Sequence, residues 1–265
     1  MKNRIFLLTV LLCFSCNSTE KKDTETEDQQ EKWISLFNGK DLTGWTAKFN
    51  KHQLGENFNN TFQVKDSVIK VNYDEYETFD REFGHLFYKD KFSHYRLKLE
   101  YRFTGEQLEN GPGWAFKNSG IMFHCQAPET MLVDQEFPVC IEAQFLGGNG
   151  TDERPTLNLC TPSTNVFMAD TLTKIHCINS KSKTFHTEDW VSAEILVLGD
   201  SLVRHFVNGE QVMEYGKLQI DGGNVPEGYP LADGTPVIEG YISLQAESHP
   251  LEFRNVELLD LSTGH

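Results

Sequence analysis

An all-β sandwich is the fold class this sequence predicts, and three observations predict it. Short segments of alternating apolar and polar residues recur through the chain, with turn residues between them; Phe is frequent at 19 residues and Gly contributes 20; no long stretch of 3.6-residue period follows residue 32. The 265 residues show no internal repeat and no linker within the body, so one large domain is expected.

The first element is a leader. Lys2 and Arg4 precede an apolar run from Ile5 to Leu12, too short to span a bilayer and suited to the hydrophobic region of a signal peptide. Cys13-Phe14-Ser15-Cys16 then places a small residue before Cys16, which resembles a bacterial lipoprotein signal: cleavage after residue 15 and a lipid on Cys16. Simple cleavage without lipid is the alternative. Residues 16 to 32 are polar and free of aromatics, and are expected to form a disordered tether. The folded domain is expected over 33 to 265, in the cell envelope, touching membrane through the lipid anchor only.

The formal net charge is −15, and loss of Lys2 and Arg4 with the leader makes it more negative. Phosphate backbones would be repelled, which excludes nucleic acid as a partner. Beyond Cys16 the body holds Cys125, Cys140, Cys160 and Cys177. In an exported chain this even number points to disulfides, and proximity favours Cys125–Cys140 and Cys160–Cys177. Strand parity puts Cys125 and Cys140 on opposite faces, so the first pair requires a bulge or a loop position. No Cys-x-x-Cys spacing supports zinc.

From Trp33 the text becomes globular, with Asn38-Gly39 and Thr43-Gly44 as turns. His94 to Phe103 is the clearest strand: Tyr95, Leu97, Leu99, Tyr101 and Phe103 alternate with Arg96, Lys98, Glu100 and Arg102, giving one buried and one charged face. Val191, Ala193, Ile195 and Val197 alternate again, and Asn208-Gly209 joins Leu202–Val207 to Glu210–Tyr215 as a hairpin. Three other strands carry neutral polar groups and isolated charges opposite their apolar face. Ser119 to Gln126 turns Ile121 and Phe123 inward and Met122, His124 and Gln126 outward; Val139 to Leu146 turns Ile141, Ala143 and Phe145 inward and Glu142 and Gln144 outward; Gly240 to Glu247 turns Ile242, Leu244 and Ala246 inward and Tyr241, Ser243, Gln245 and Glu247 outward.

In one curved sheet, His124, Glu142, Gln144, Gln245 and Glu247 would line a common hollow. Sugars offer hydroxyls and apolar ring faces, so planar amides, carboxylates and an aromatic platform suit them. Trp114, after Gly111-Pro112-Gly113, is either that platform or loop packing. The motifs of lipases, zincins and P-loop proteins are absent, and Gly147-Gly148-Asn149-Gly150 is simply a turn.

Trp33-Ile34-Ser35-Leu36-Phe37-Asn38-Gly39-Lys40-Asp41-Leu42-Thr43-Gly44-Trp45, Glu82-Phe83-Gly84, Asn118-Ser119-Gly120-Ile121, Ile141-Glu142-Ala143-Gln144, Leu244-Gln245 and Phe253-Arg254-Asn255-Val256 follow one another in an order that resembles the 3-keto-disaccharide hydrolase domain family. The resemblance implies a concanavalin-A-like jelly roll of two antiparallel sheets whose concave face binds sugar. It implies action on glycosides already oxidised to a ketone at carbon 3.

Such a ketone acidifies the hydrogen on carbon 2, so a base can form an enolate that expels the glycosidic oxygen, and water can add back. The expected roles are Glu142 as base, His124 as acid or enolate donor, and Gln144 with Gln245 orienting the substrate. Glu247, His249, Glu82 and His85 are the second set, Glu247 being catalytic and the others binding. No cofactor is required by the sequence, although a divalent metal on His124, Glu142 and Glu247 could polarise the ketone. Two alternatives stand: an ordinary glycosidase with Glu142 and Glu247 as its carboxylate pair, and a non-catalytic carbohydrate-binding module.

Overall fold

The computed structural model describes residues 31–262. The leader, Cys16 and almost all of the tether lie outside the described residues. In chain order the strands are β1 (Ile34–Ser35), β2 (Trp45–Phe49), β3 (Phe62–Lys65), β4 (Val68–Val71), β5 (Gly84–Phe92), β6 (His94–Phe103), β7 (Asn118–Cys125), β8 (Ile141–Leu146), β9 (Asn158–Cys160), β10 (Thr164–Met168), β11 (Thr171–Thr173), β12 (Cys177–Ile178), β13 (Val191–Leu198), β14 (Leu202–Val207), β15 (Glu210–Ile220), β16 (Gly240–Ala246) and β17 (Leu251–Asp260).

They form two antiparallel sheets. The larger runs β11-β10-β15-β14-β13-β6-β17-β4-β3, with β1 also on β17; the smaller runs β12-β9-β8-β7-β16-β5-β2. Every pairing is antiparallel, and sheet neighbours such as β7 and β16 lie far apart in the chain and meet only through long excursions, as in a jelly roll.

Alternation explains the layers. In β6 every second residue from Tyr95 to Phe103 is buried, and in β13 Val191, Ala193, Ile195 and Val197 are buried. These face Ile121, Phe123, Ile141, Ala143, Phe145, Ile242, Leu244 and Ala246 of the smaller sheet in one apolar cluster. The Tyr101 ring lies flat on Phe145 at 4.0 Å and 3°, tying β6 to β8 beside Gln144. The outer face of the larger sheet is a ladder of ion pairs: Arg96–Glu194 at 2.6 Å, Lys98–Glu257 at 2.9 Å, Arg102–Glu252 at 2.7 Å and Arg254–Glu100 at 2.9 Å. Opposite charges on adjacent strands there keep that face solvated and specify register.

The smaller sheet has a different outer face. Glu142, Gln245, Glu247, His85 and Lys48 on it are all buried. The segment from Ala127 to Val139 folds across part of it, held by Lys48 Nζ on the Val133 carbonyl at 3.2 Å, by His85 Nε2 against the Glu136 carbonyl at 2.8 Å, and by an Arg81–Glu136 ion pair. The result is a covered hollow rather than an open surface.

Two expectations are corrected here. His124 has φ 49°, and between Met122 and Cys125 strand β7 carries three steps against two on β16, from Ser243 to Tyr241. This is a β-bulge. It rotates His124 out of the alternation, so its ring faces Tyr95 of the opposite sheet at 6.2 Å while Nδ1 lies 3.1 Å from the Val237 carbonyl. His124 is therefore not on the face of Glu142. The same bulge brings Cys125 round to the side of Met122, in one apolar cluster with Phe87, Met131 and Cys140. The parity objection to a Cys125–Cys140 pair is thus removed, yet both remain free thiols. Burial and the adjoining thiol push Cys140 well above its ordinary range, which leaves no thiolate to attack. Cys160 and Cys177 are bridged as expected, joining β9 to β12.

Candidate active site

A pocket of about 350 Å³ opens on the outer face of the smaller sheet, lined by Trp114, Asn118, Phe137, Glu142, Gln144, Cys160, Pro162, His176, Cys177 and Glu247. Glu142 reaches it because β8 pairs with β7 in a register that sets Met122 opposite Glu142 and Gly120 opposite Gln144. Gly120 is small for a reason: a Cβ there would stand 2.6 Å from Glu142 Oε1. The missing side chain gives the carboxyl room to lie across β7.

Gln144 is oriented by its neighbours. Asn158 Nδ2 donates to the Pro155 carbonyl at 2.9 Å and Asn158 Oδ1 accepts from Ser180 N–H at 2.9 Å, which fixes the amide of Asn158. The same Nδ2 donates to Gln144 Oε1 at 3.0 Å, leaving Gln144 Nε2 as the donor on the pocket wall.

Glu247 follows β16 at a strained corner. Ser248, its neighbour, has φ 94°, a left-handed conformation that a non-glycine residue adopts at a cost. The corner is held by Tyr73 Oη accepting from Ser248 N–H at 2.7 Å, by Gln107 Nε2 donating to Ser248 Oγ at 2.9 Å, and by Leu108 N–H donating to the Ser248 carbonyl at 2.9 Å. This clamp presents Glu247 to the pocket.

Both carboxyls are almost fully buried, Glu142 at 5% exposure and Glu247 at 3%. Burial raises Glu142 to about 8. Glu247 is raised well above the usual carboxylate range by burial and, secondarily, by the charge of Glu142. Burial keeps Glu142 protonated below about 8, and once it ionises its charge adds to the burial that holds the proton on Glu247. Such a pair holds a base and an acid together.

Several buried polar atoms on this face have no partner in the protein: Glu247 Oε2, Asn118 Oδ1, His85 Nδ1 and both amide atoms of Gln245. Unsatisfied buried polar atoms cost stability, and of these Glu247 Oε2 and Asn118 Oδ1 belong to residues that line the pocket, where polar ligand atoms can meet them. Trp114 is 53% exposed. One face of its ring stacks on Phe83 at 5.6 Å and 25°, so it is both packed and available as a platform.

The structure thus brings together Glu142, Gln144, Glu247 and Trp114 among the expected residues. Gln245 is fully buried on the same face but does not line the pocket. His85 anchors the covering segment, and burial lowers it to about 4. Glu82 accepts from Asp80 N–H at 2.9 Å and pairs with Lys51 at 3.2 Å, a structural role in its loop. His249 lies between Phe103 and Phe116, at 5.7 and 5.2 Å, and its burial lowers it to about 4. Among the described residues, no three His, Cys, Asp or Glu side chains gather as a metal site, and His124 stands apart from Glu142 and Glu247. Asn118, Phe137, Asn158, Pro162 and His176 were not singled out in the sequence. Asn118 could have been, since it opens the quoted Asn118-Ser119-Gly120-Ile121 segment; Asn158 arrives on the short strand β9 and the others from distant loops, with no local signal.

A jelly roll with a buried carboxyl pair, oriented amides and an exposed tryptophan in one hollow defines a β-sandwich protein that acts on glycosides. The chain belongs to the 3-keto-alpha-glucoside-1,2-lyase-like domain family, whose match runs over residues 32–259. No curated protein matches it. Among solved structures it is similar to a Parabacteroides distasonis ATCC 8503 protein provisionally described as a glycosyl hydrolase, with 20% identity, TM-score 0.54, 88% of this chain and 95% of that chain covered. It is also similar to a Bacillus subtilis protein of unknown function with a galectin-like fold, with 12% identity, TM-score 0.52, 86% of this chain and 94% of that chain covered. At these identities the likeness is one of fold.

Proposed function

We propose that this protein cleaves 3-keto-α-glucosides by elimination across carbons 1 and 2, followed by addition of water. The observation that carries this reading is the buried pair Glu142 and Glu247 lining one sugar-sized pocket, where the charge of Glu142 adds to the burial that raises Glu247. The family described as 3-keto-alpha-glucoside-1,2-lyase-like supports the substrate class.

The ketone at carbon 3 makes the carbon 2 hydrogen removable. The Glu142 carboxylate takes that proton, and the electron pair of the C–H bond passes into the enolate, with charge on the carbon 3 oxygen. Gln144 Nε2 is the donor for that oxygen, a role His124 cannot fill from behind the sheet. Collapse of the enolate forms the double bond between carbons 1 and 2 and breaks the bond from carbon 1 to the glycosidic oxygen, which takes its proton from Glu247. Water adding at carbon 1, with a proton returned to carbon 2, yields the free keto sugar. Trp114 offers its open face to the sugar ring.

The test is to supply 3-keto-trehalose and trehalose in parallel and measure released sugar. Release from the ketone alone supports elimination. Equal release from both assigns an ordinary glycosidase using the same carboxyl pair, and sugar binding without release from either assigns a binding module. We also propose, from the apolar run Ile5 to Leu12 and the Ser15-Cys16 junction, that the domain is carried on a lipid at Cys16, seen as a diacylglyceryl mass on that residue and lost in Cys16→Ser.

A further inference from the structure

Trp114 and Glu247 line one pocket from distant parts of the chain. A side chain that does not itself line the pocket joins them. Gln107 Nε2 donates to the Pro112 carbonyl at 2.9 Å, in the loop that carries Trp114, and to Ser248 Oγ at 2.9 Å, beside Glu247. A backbone carbonyl can only accept, so the nitrogen end of this amide must face Pro112, and both of its hydrogens are used.

The loop is shaped around that contact. A Cβ on Gly111 would stand 2.6 Å from Gln107 Nε2 and 2.6 Å from Ser248 Oγ, so a side chain there would push the amide and the hydroxyl apart. A backbone route runs beside the amide: Gly111 N–H donates to the Leu108 carbonyl at 3.0 Å, and Leu108 N–H to the Ser248 carbonyl at 2.9 Å. Beyond it, Ala115 N–H donates to the Pro112 carbonyl at 2.9 Å and Asn118 Nδ2 to the Trp114 carbonyl at 3.3 Å. The platform, the pocket wall at Asn118 and the corner after β16 are therefore one hydrogen-bonded body, and Gln107 is its side-chain link, reaching across 141 residues of sequence to Ser248.

Resting on Glu247 as the acid of the proposed elimination, we infer that Gln107 is a positioning residue coupling platform to acid: a sugar ring settled on Trp114 steadies the loop 111–114, and Gln107 passes that constraint to the Ser248 corner that aims Glu247. A sugar that leaves Trp114 uncovered then loses turnover as well as affinity, because binding energy at the platform is used to place the reacting group.

Gln107→Met keeps the length of the side chain and adds no charge, but it has no hydrogen to donate. In the full-length protein with 3-keto-trehalose, kcat should fall by up to roughly 10²-fold, the scale of a small misplacement of a reacting group. The alkaline limb of kcat/KM should also move to lower pH. Burial is what chiefly raises Glu247, with Glu142 and Tyr73 as the titratable groups near it, and a loosened corner lets water in. The acid limb, set by Glu142, should stay in place. Ser248→Ala removes one of the two acceptors and keeps the backbone clamp, and should show the same changes at smaller size. Trp114→Ala should cost less in the Gln107→Met background than in wild type. A lowered Tm with the alkaline limb unmoved, or losses that simply multiply in the double variant, would make Gln107 structural only and overturn the inference. Carbon-13 NMR titration of the glutamate carboxyls, with Glu247 assigned through Glu247→Gln, follows the same group without turnover. If wild-type protein released no sugar while Gln107→Met still lowered the Glu247 midpoint, the elimination would fail and the link from Gln107 to Glu247 would stand.

Discussion

Glu142 holds its proton up to about pH 8 because it is buried, and that one fact ties activity to stability. A base must be ionised to work, so kcat/KM should rise with pH through about 8 and fall again where Glu247, raised further, loses the proton it has to donate. A pH–rate profile checks this; a flat profile from 6 to 9 would remove the pair from the mechanism. Glu142→Gln should lower kcat by roughly 10²–10⁴, the usual share of a positioned proton-transfer group. The same substitution should stabilise the fold, with a definite sign. The folded protein keeps a proton that the unfolded chain releases near the ordinary 4.5, so stability falls as pH rises from 4.5 toward 8, and Gln escapes that loss. Thermal melts should show the variant's Tm above wild type at pH 8 to 9, at about 2–4 °C per kcal/mol for a chain this long, and the two coinciding near pH 5.

Strands β7 and β8 act as a unit through Gly120. In Gly120→Ala the new Cβ would stand 2.6 Å from Glu142 Oε1 and 2.8 Å from its Cγ, with the Ala143 carbonyl at 3.1 Å, so the whole Glu142 side chain must turn aside. The fold should survive, with Tm within a few degrees, while kcat drops by at least roughly tenfold as the base leaves its position. Circular dichroism beside the rate assay separates the two; loss of fold in step with activity would show that β7 cannot tolerate the methyl group. At the sheet edge, the disulfide closes a separation of 17 residues between β9 and β12, worth about 3 kcal/mol in the chain-entropy account. Both its cysteines line the pocket. Cys177→Ala should therefore lower Tm and raise KM together, whereas a Tm loss with KM unchanged would confine the bridge to stability.

Across the whole molecule, buried titratable groups narrow the stable pH range from both sides. Burial lowers His85, His124, His205 and His249 to about 4 each. A folded histidine that stays neutral where the unfolded one protonates costs nothing above the ordinary 6.5, and its cost grows as pH falls from there to 4. The carboxyl pair erodes stability on the alkaline side. A Tm maximum between about 5.5 and 7.5 is expected, and Glu142→Gln should flatten only its alkaline flank. A loss of the acid flank in that variant would show that the histidines are not its cause.

How much of this was legible follows from particular residues. Strand β6 was readable to the residue, since Tyr95 to Phe103 alternate without interruption against a charged face. The neutral outer faces of β8 and β16 announced a hollow, and Glu142, Gln144 and Glu247 met there because period-two alternation holds in any unbroken strand. His124 failed that logic at a bulge between Met122 and Cys125, a stretch with no glycine to mark it. Sequence by itself determined the fold class, the family and the shared outer face of Glu142 and Gln144, because alternation and turn chemistry are local; proximity offered Cys125–Cys140 and Cys160–Cys177 alike, and only the second is bridged. Only the tertiary structure decided that the covering segment from Ala127 to Val139 closes over the sheet, that Asn158 fixes Gln144, and that Glu142 and Glu247 are buried together. Burial and the coupling of charges depend on what other parts of the chain pack overhead, which no local pattern records.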